Sequence, residues 1–364
     1  MRASPAWWQG RLYVGSQDGW VYCLRADAGR LVWRFRGAPH ERQMIFYGRP
    51  QSLWPIAGGV IVEDGKVQFC AGRCAHDRVF VWSLDARTGA VLWQNDRAGR
   101  AVEVTGPAGG VSPHGVSPNG VLAASRDILY VPQGPFAPAA FARHDGGLLW
   151  WGRRGDSRQR SNIEVQNLGG PNLVVADEVL LVGGPDPNTG RSQAYVAVES
   201  RTGRMWGADD PRLFAKAGRD ETGAAVEVKQ ARFGTKPIRF GQEFTPVVAD
   251  GGVFIPGYRG DFFDLKKYMD TQFGASATDA RRWTVPLARG TLLVAGDKVL
   301  IVSPGRLTVL ARAGGHRIGE LDLATREAPL PDGLAAAQGQ LFLVTARSEV
   351  LCLSESEADK SIRR

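Results

Sequence analysis

The sequence predicts an all-β chain, a β-propeller of four-stranded antiparallel blades in seven repeat units. Three observations predict it. Apolar and polar residues alternate with period two through short runs, no long run has a helical period, and a turn followed by tryptophan returns at a nearly fixed interval. Self-similarity at roughly fifty residues per unit indicates a propeller or a solenoid. A chain of 364 residues with 43% hydrophobic residues is long enough for one large all-β domain or two ordinary ones. The continuous repeats favour one, residues 1–364.

The first unit, about residues 3–36, holds "GRLYVGS", "WVYCL" and "LRADAGRLVW", and ends on Trp33. The second, about 53–96, holds "VFVWSL" and "LDARTGAVLW" to Trp93, and the third, about 115–154, "ILYVPQG" and "FARHDGGLLW" to Trp150. These three share the spacing Gly-x3-Trp from Gly29, Gly89 and Gly146. The fourth, about 169–208, is one residue tighter, "VESRTGRMW", from Gly203 to Trp206. In the fifth, about 242–285, "ATDARRW" reaches Trp283 without the glycine. The sixth and seventh, about 289–323 and 328–356, keep the alternation and lose the tryptophan. Residues 357–364 form a charged tail with no fourth strand, so either the ring closes imperfectly at seven or an eighth blade belongs to a longer chain.

The turn has a mechanical reading. Asp85, Thr88 and Gly89 suit a hairpin whose turn needs side-chain hydrogen bonds and one residue at positive φ. Trp93, four residues on, would then pack against the neighbouring blade. Burying an indole removes about 150–250 Å² from water, on the order of 4–6 kcal/mol as an upper bound. Trp33, Trp93, Trp150, Trp206 and Trp283 are therefore expected to be docking residues.

The pattern Asp-Ala-x-Thr-Gly-x3-Trp, after Gly-x-Leu-Tyr-Val-Gly-Ser-x-Asp-Gly-x-Val-Tyr-x-Leu, resembles the pyrroloquinoline-quinone-like repeat. That repeat builds quinoprotein dehydrogenases and also non-enzymatic propellers, the outer-membrane assembly lipoprotein among them. The resemblance covers nearly the whole chain and implies the fold; both branches share the docking residues, so it does not choose between them. The dehydrogenase branch implies a vicinal Cys-Cys disulfide against the quinone, Ca²⁺ held by acidic and amide oxygens, and an aspartate base. No adjacent cysteines occur, and "GGPDPNTGRS", with Asp186 and Asn188, reads as a turn-rich hairpin. The expectation is a chain with no cofactor, neither quinone nor Ca²⁺, and no metal.

The four cysteines give little more. Cys23 and Cys352 occupy the same place in units one and seven and read as buried small hydrophobes. Cys70 and Cys74 lie in "QFCAGRCAHD" near His76, and free thiols, a local disulfide and a metal site all fit that spacing. Other catalytic signatures are weak. Ser112, His114 and Ser117 in "SPHGVSPNG" lack a nucleophile elbow, "GPAGG" at 106–110 lacks the lysine of a phosphate loop, and Asp209 and Asp210 sit in a turn.

A net charge of +8 and a pI near 9.5 point to an acidic partner. The arginines are spread along the chain without a basic helix or an aromatic platform, which argues against nucleic acid and for a protein, an acidic small molecule or a glycan. No run of eighteen apolar residues occurs. The start lacks the pattern of a signal peptide, so the chain reads as cytoplasmic as written or as a shortened relative of exported propellers.

The connections between units carry what the repeat leaves over. The docking tryptophans are spaced 60, 57, 56 and then 77 residues, so the segment from Trp206 to Trp283 exceeds the period, and it includes 211–244 with a helical turn at "RLFAKA" and an extra strand at "AVEVKQARF". Three connections, 48–55, 151–167 and 229–243, are expected to open on one face and form a shallow anion site. The candidate ligand residues are Arg49, Trp54, His114, Arg153, Arg158, Arg160, Arg232, Lys236 and Arg239. Two function classes follow: a non-catalytic scaffold or acidic-ligand module, and an enzyme with a funnel site, either quinone-dependent or polysaccharide-cleaving.

Overall fold

A computed structural model describes residues 4–46, 48–100, 102–105, 111–134, 136–151, 170–185, 192–203, 217–219, 225–227, 246–255, 259–269, 277–286, 291–323, 329–337, 339–345, 347 and 349–354. The chain divides into two compact units, Met1–Arg232 and Phe233–Arg364.

The first unit carries blades one to four. Blade one pairs Ala6–Trp8, Arg11–Gly15, Trp20–Arg25 and Leu31–Arg36 in sequence order, each strand antiparallel to the next. Blade two repeats this with Val60–Glu63, Lys66–Ala71, Phe80–Asp85 and Val91–Asn95. Blade three does so with Ala123–Ala124, Ile128–Gln133, Phe136–Ala142 and Leu148–Trp151. Blade four shows three strands, Asn172–Ala176, Val179–Pro185 and Ser192–Glu199, and Trp206 lies outside the described residues. The second unit carries blade five (Val247–Ala249, Gly252–Ile255, Arg259–Asp264, Arg281–Pro286) and blade six (Thr291–Ala295, Lys298–Ser303, Arg306–Ala311, Arg317–Asp322). It ends in a three-stranded blade seven (Pro329–Ala337, Gln340–Thr345, Val350–Ser354). Among the described residues there are thus seven blade sheets, and they follow the seven repeats.

Burial follows from stacking. Blade two lies between two neighbours, so its second and third strands are buried along nearly their whole length, both faces covered. One apolar cluster joins blades one and two around Tyr13, Val67, Phe69 and Leu84, and others join two to three and three to four. In the second unit, Phe254, Phe262 and Ile301 join blade five to six, and Val302, Leu307 and Leu343 join six to seven.

A register shift sits in one place in five blades. In blade two, Val91 faces Leu84 and Trp93 faces Ser83, leaving Leu92 as the extra residue of a β-bulge. Val32, Leu149, Arg282 and Ile318 occupy the same position in blades one, three, five and six. The bulge turns the tryptophan inward by one residue and leaves the bulged side chain in solvent. That is why Val32, Leu92, Leu149 and Ile318 are exposed although the alternation alone would bury some of them.

Several expectations need correcting. In blade five the third and fourth strands are joined by residues 265–280, with helices Leu265–Met269 and Ala277–Ala280, where blade one uses residues 26–30. Part of the long spacing before Trp283 therefore lies inside blade five, because a helical detour replaces the glycine turn. Leu265 and Met269 bury the inner side of that detour. Cys23 is buried, but Cys352 is exposed: it pairs with Phe342 on the last described strand of a three-stranded sheet, where no further strand covers it. Two hairpins interrupt the connections of the first three blades, Gln43–Phe46 with Arg49–Ser52 and Val102–Thr105 with Val111–His114. In the long insertion, Ala217–Arg219 pairs with Ala225–Glu227, so the extra strand at 225 is present in its first residues. The helical turn expected at 212–217 lies, up to residue 216, outside the described residues.

Candidate functional site

The repeated motif is a joint between consecutive sheets. The Trp33 indole donates to the Ala86 carbonyl of blade two at 3.1 Å, and Trp93 donates to Arg143 of blade three at 2.9 Å. Trp150 donates to Ser200 of blade four at 3.2 Å, and Trp283 to Arg312 of blade six at 2.9 Å. Each acceptor is the first residue of the turn between third and fourth strands, three residues before a glycine at positive φ: Gly89, Gly146, Gly203 and Gly315. A Cβ at Gly89 would come within 2.9 Å of the Trp33 ring, and the other three would collide with Trp93, Trp150 and Trp283. The glycine is therefore required twice over, for its backbone and for the ring seated on it.

The turn is built to present that carbonyl. Asp85 Oδ1 accepts from the Thr88 N–H and hydroxyl, both at 2.8 Å, and from the Arg87 N–H at 3.0 Å, while the Gly89 N–H donates to the Asp85 carbonyl. The bonds from Thr88 hold the Asp85 carboxyl below the usual carboxylate range. Tyr13 also donates to the Ala86 carbonyl, at 2.9 Å, and burial pushes its phenol up to about 12.

Between blades two and three the same joint carries a charge. Arg143 stands where blade two has Ala86, and only 4% of it is exposed. Its Nε donates to Gln68 Oε1 at 2.7 Å, and Nη1 reaches Glu63 at 2.5 Å and the Ser125 carbonyl at 2.8 Å. Blade two accommodates it by presenting Gln68 and Ser83 in the row where blade one has Tyr13 and Cys23. Ser83 is buried too, and its hydroxyl has no hydrogen-bond partner among the described residues. Taken alone, Arg143 reads as an ordinary polar turn residue; the sequence signal is the paired loss of apolar residues at 68 and 83.

Of the candidate ligand residues, Arg49 is exposed on its hairpin. Trp54 is not available at a surface: it is 7% exposed, its indole donates to the Asp77 carbonyl at 2.6 Å, and it meets Phe80 edge-on. A buried indole with its one donor engaged packs the connection instead of receiving a ligand. His114 pairs through its backbone with Val102. Arg153, Arg158, Arg160, Arg232, Lys236 and Arg239 lie outside the described residues, as do Asp186, Asn188, Asp209, Asp210 and residues 106–110. Of the three connections expected to meet, 48–55 is described in full, 151–167 only at Trp151 and 229–243 not at all. Ser117 is a structural residue: its hydroxyl donates to the Gly115 carbonyl and accepts from the Ala75 N–H. Cys70 is buried and Cys74 exposed, and neither is in a disulfide. Burial pushes the Cys70 thiol up to about 12. Asp96 bonds both Arg78 and Arg100, at 2.8 and 2.7 Å, a solvent-exposed ion-pair group.

Antiparallel blades joined by an indole seated on the turn glycine of the next sheet define a β-propeller of the quinoprotein-like repeat class. A family model described as outer membrane protein assembly factor BamB matches residues 1–218, more than half of the chain, and the chain belongs to that family. It is also 33% identical over 95 residues to the dehydrogenase subunit of a quinone alcohol dehydrogenase from Gluconobacter oxydans (strain 621H), covering 24% of this chain and 11% of that protein. Over 88 residues it is 30% identical to the quinohemoprotein alcohol dehydrogenase ADH-IIG of Pseudomonas putida, covering 24% and 11%. The match thus spans about a tenth of the length of these curated relatives. Among solved structures, BamB from Moraxella catarrhalis superposes with a TM-score of 0.48 and 14% identity over 95% of this chain and 79% of that one. A europium-containing methanol dehydrogenase gives 0.49 and 13% over 96% and 72%.

The expectation of a chain with no cofactor, neither quinone nor Ca²⁺, is corrected by its relatives, since the curated proteins it matches are quinone and quinohemoprotein dehydrogenases. The described residues do not themselves fit such a group. They bring no three His, Cys, Asp or Glu residues together as metal donors, and their cysteines at 23, 70, 74 and 352 are unpaired. Among the described residues no helix is long and apolar enough to cross a membrane.

Proposed function

We propose that the chain is a protein-interaction scaffold that works in outer-membrane protein assembly, at the outer membrane, and takes acidic partners on the connections between its blades. The family match over residues 1–218 carries this reading. The joints support it physically: the repeat residues are consumed in holding sheet to sheet, so recognition falls to the connections. Arg49 and the arginines at 153, 158, 160, 232 and 239, with Lys236, are the candidate contacts, and the net charge of +8 suits acidic partners, a small acid or glycan among them. Cross-linking of the tagged full chain in its own cells tests the reading. Recovery of a β-barrel assembly component with the chain is the expected result, and a cross-linked set without outer-membrane components would remove it.

The 95-residue match to a quinone alcohol dehydrogenase favours a second reading, an oxidising enzyme. It predicts dye-linked alcohol oxidation after incubation of the full chain with quinone and a divalent or lanthanide cation. The scaffold reading predicts partner capture that is indifferent to that treatment.

A further inference from the structure

The hairpin of Gln43–Phe46 with Arg49–Ser52, between blades one and two, has an open edge. It is a two-stranded sheet, and no described strand pairs with the far side of Gln43–Phe46. Its hydrogen-bonding parity is fixed by the structure. Phe46 and Arg49 close a two-residue turn, Met44 faces Gln51, and the Leu53 N–H donates to the Arg42 carbonyl at 2.8 Å. The alternate pairs bond outward. Pro50, opposite Ile45, has no N–H, and the Ser52 N–H, opposite Gln43, donates away from the hairpin to the Gln17 carbonyl at 2.9 Å. The backbone N–H and C=O groups of Gln43 and Ile45 therefore face the unpaired side.

The outer edges of the first three blades are protected. The outer strands of blades one, two and three each carry a bulge, and blade one adds Arg34 and Arg36. Gln43–Phe46 has no bulge in its pairing, no proline and no charged residue. It exposes Ile45 to 70% and Met44 to 39%. Such an edge, apolar and unprotected, is a template for another strand.

The charges beside it choose the occupant. Arg42 and Arg49 flank the strand, both exposed and neither in an ion pair with a described residue, and the Arg73 guanidinium lies 4.7 Å from the Phe46 ring centre. Glu41 is the one acidic residue between positions 39 and 53. We propose that Gln43–Phe46 is a docking edge that takes an extended segment of a protein partner as a third strand, a segment in which acidic residues alternate with small apolar ones. Side chains alternate between the two faces of the hairpin, so the apolar ones lie on the Ile45 face and the acidic ones on the opposite face, which carries Arg42, Met44 and Arg49. This rests on the scaffold reading and narrows it to one edge and one partner chemistry.

The test uses the full chain and a short fluorescein-labelled peptide alternating valine with aspartate, followed by fluorescence anisotropy. Saturable binding that weakens with added salt is expected, because exposed charge pairs are screened over about 8 Å at physiological ionic strength. Ile45→Pro removes an outward donor that the hairpin itself does not use and should weaken binding roughly tenfold. The double reversal Arg42→Glu with Arg49→Glu should abolish it while leaving the far-UV spectrum unchanged. No saturable binding, equal binding of the valine–lysine peptide, or an unchanged affinity in Ile45→Pro would each overturn the proposal. So would self-association of the chain that Ile45→Pro abolishes, since the occupant would then be a second copy. The two readings fail separately: partner capture that survives Ile45→Pro removes this edge and keeps the scaffold, and peptide binding without any outer-membrane partner does the reverse.

Discussion

The Trp93 indole N–H donates to the Arg143 carbonyl at 2.9 Å, and the six-membered ring of that indole occupies the space a Cβ on Gly146 would need. One side chain of blade two thus reads two features of the next turn, a carbonyl and a missing methyl group. This gives the repeated motif a structural job in which tryptophan and glycine of adjacent sheets are partners.

Trp93→Ala should therefore cost about 3–5 kcal/mol, the range for truncating a large buried aromatic. Urea unfolding followed by far-UV circular dichroism measures it. An unchanged midpoint would mean that the indole holds nothing.

The glycine half of the joint can be separated from its backbone. Gly29 and Gly146 both have positive φ, +64° and +76°, but a Cβ on Gly29 meets nothing within 4 Å. Gly29→Ala should cost only the left-handed backbone term, about 1–2 kcal/mol. Gly146→Ala adds a collision with the Trp93 ring and should cost distinctly more, as read from paired denaturation curves. Equal losses would show that the ring yields freely.

Arg143 is the weak point of the same seam. Arg143→Ala removes a buried cation with bonds to Gln68, Glu63 and Ser125 and leaves the buried Gln68 Oε1 without its donor, while Gln68 Nε2 keeps the backbone carbonyl of residue 143, a loss of about 3 kcal/mol. Glu63 is half exposed, so Glu63→Gln should cost well under that. Adding Gln68→Tyr and Ser83→Cys to Arg143→Ala rebuilds the row that blade one presents to Ala86, and should recover most of the loss. A triple variant no better than Arg143→Ala would mean that the seam needs its charge.

Much of this seam is legible in the sequence. Period-two alternation and the Gly-x3-Trp spacing mark the third and fourth strands of blades one to three, because each strand is short, amphipathic or doubly buried, and closed by a turn with its own chemistry. What was not legible depends on contacts distant in sequence. Arg143 looks like any turn arginine until Gln68, 75 positions away, is placed beside it. The hairpin at 43–52 is hidden because Arg49–Ser52 contains proline and polar residues and has no alternation to show. Trp54, a candidate ligand residue by sequence, sits in a proline-flanked connection, and its bond to the Asp77 carbonyl shows it to be packing.

The thiols offer a test of burial in both units. Cys23 and Cys70 are buried, and burial raises both thiols, Cys70 to about 12. The reactive species is the thiolate, so both should resist iodoacetamide in the native protein. Cys74 and Cys352 are exposed and should be labelled first. Peptide mapping after a short pulse distinguishes the pairs, and native labelling of Cys70 at the rate of Cys74 would contradict the packing around blade two.

Acid should loosen the turns before it touches the apolar seams. The Asp85 carboxyl is held below its usual range first by the Thr88 hydroxyl and then by the Thr88 N–H, and Asp264 first by the Lys267 N–H and also by Arg282. A carboxyl with a lowered folded-state pKa binds protons more readily in the unfolded chain. Its stabilisation is complete above the unfolded value, about 3.9 for aspartate, and is lost as pH falls through the folded value. The stability of the chain should therefore decline as pH drops below about 4. Asp85→Asn keeps an oxygen acceptor for Thr88 but cannot titrate, so its stability at neutral pH should be lower while its decline in acid is shallower than that of the parent. Urea midpoints across an acid pH series give both slopes, and parallel slopes would show that the Asp85 turn is not among the groups acid unlocks.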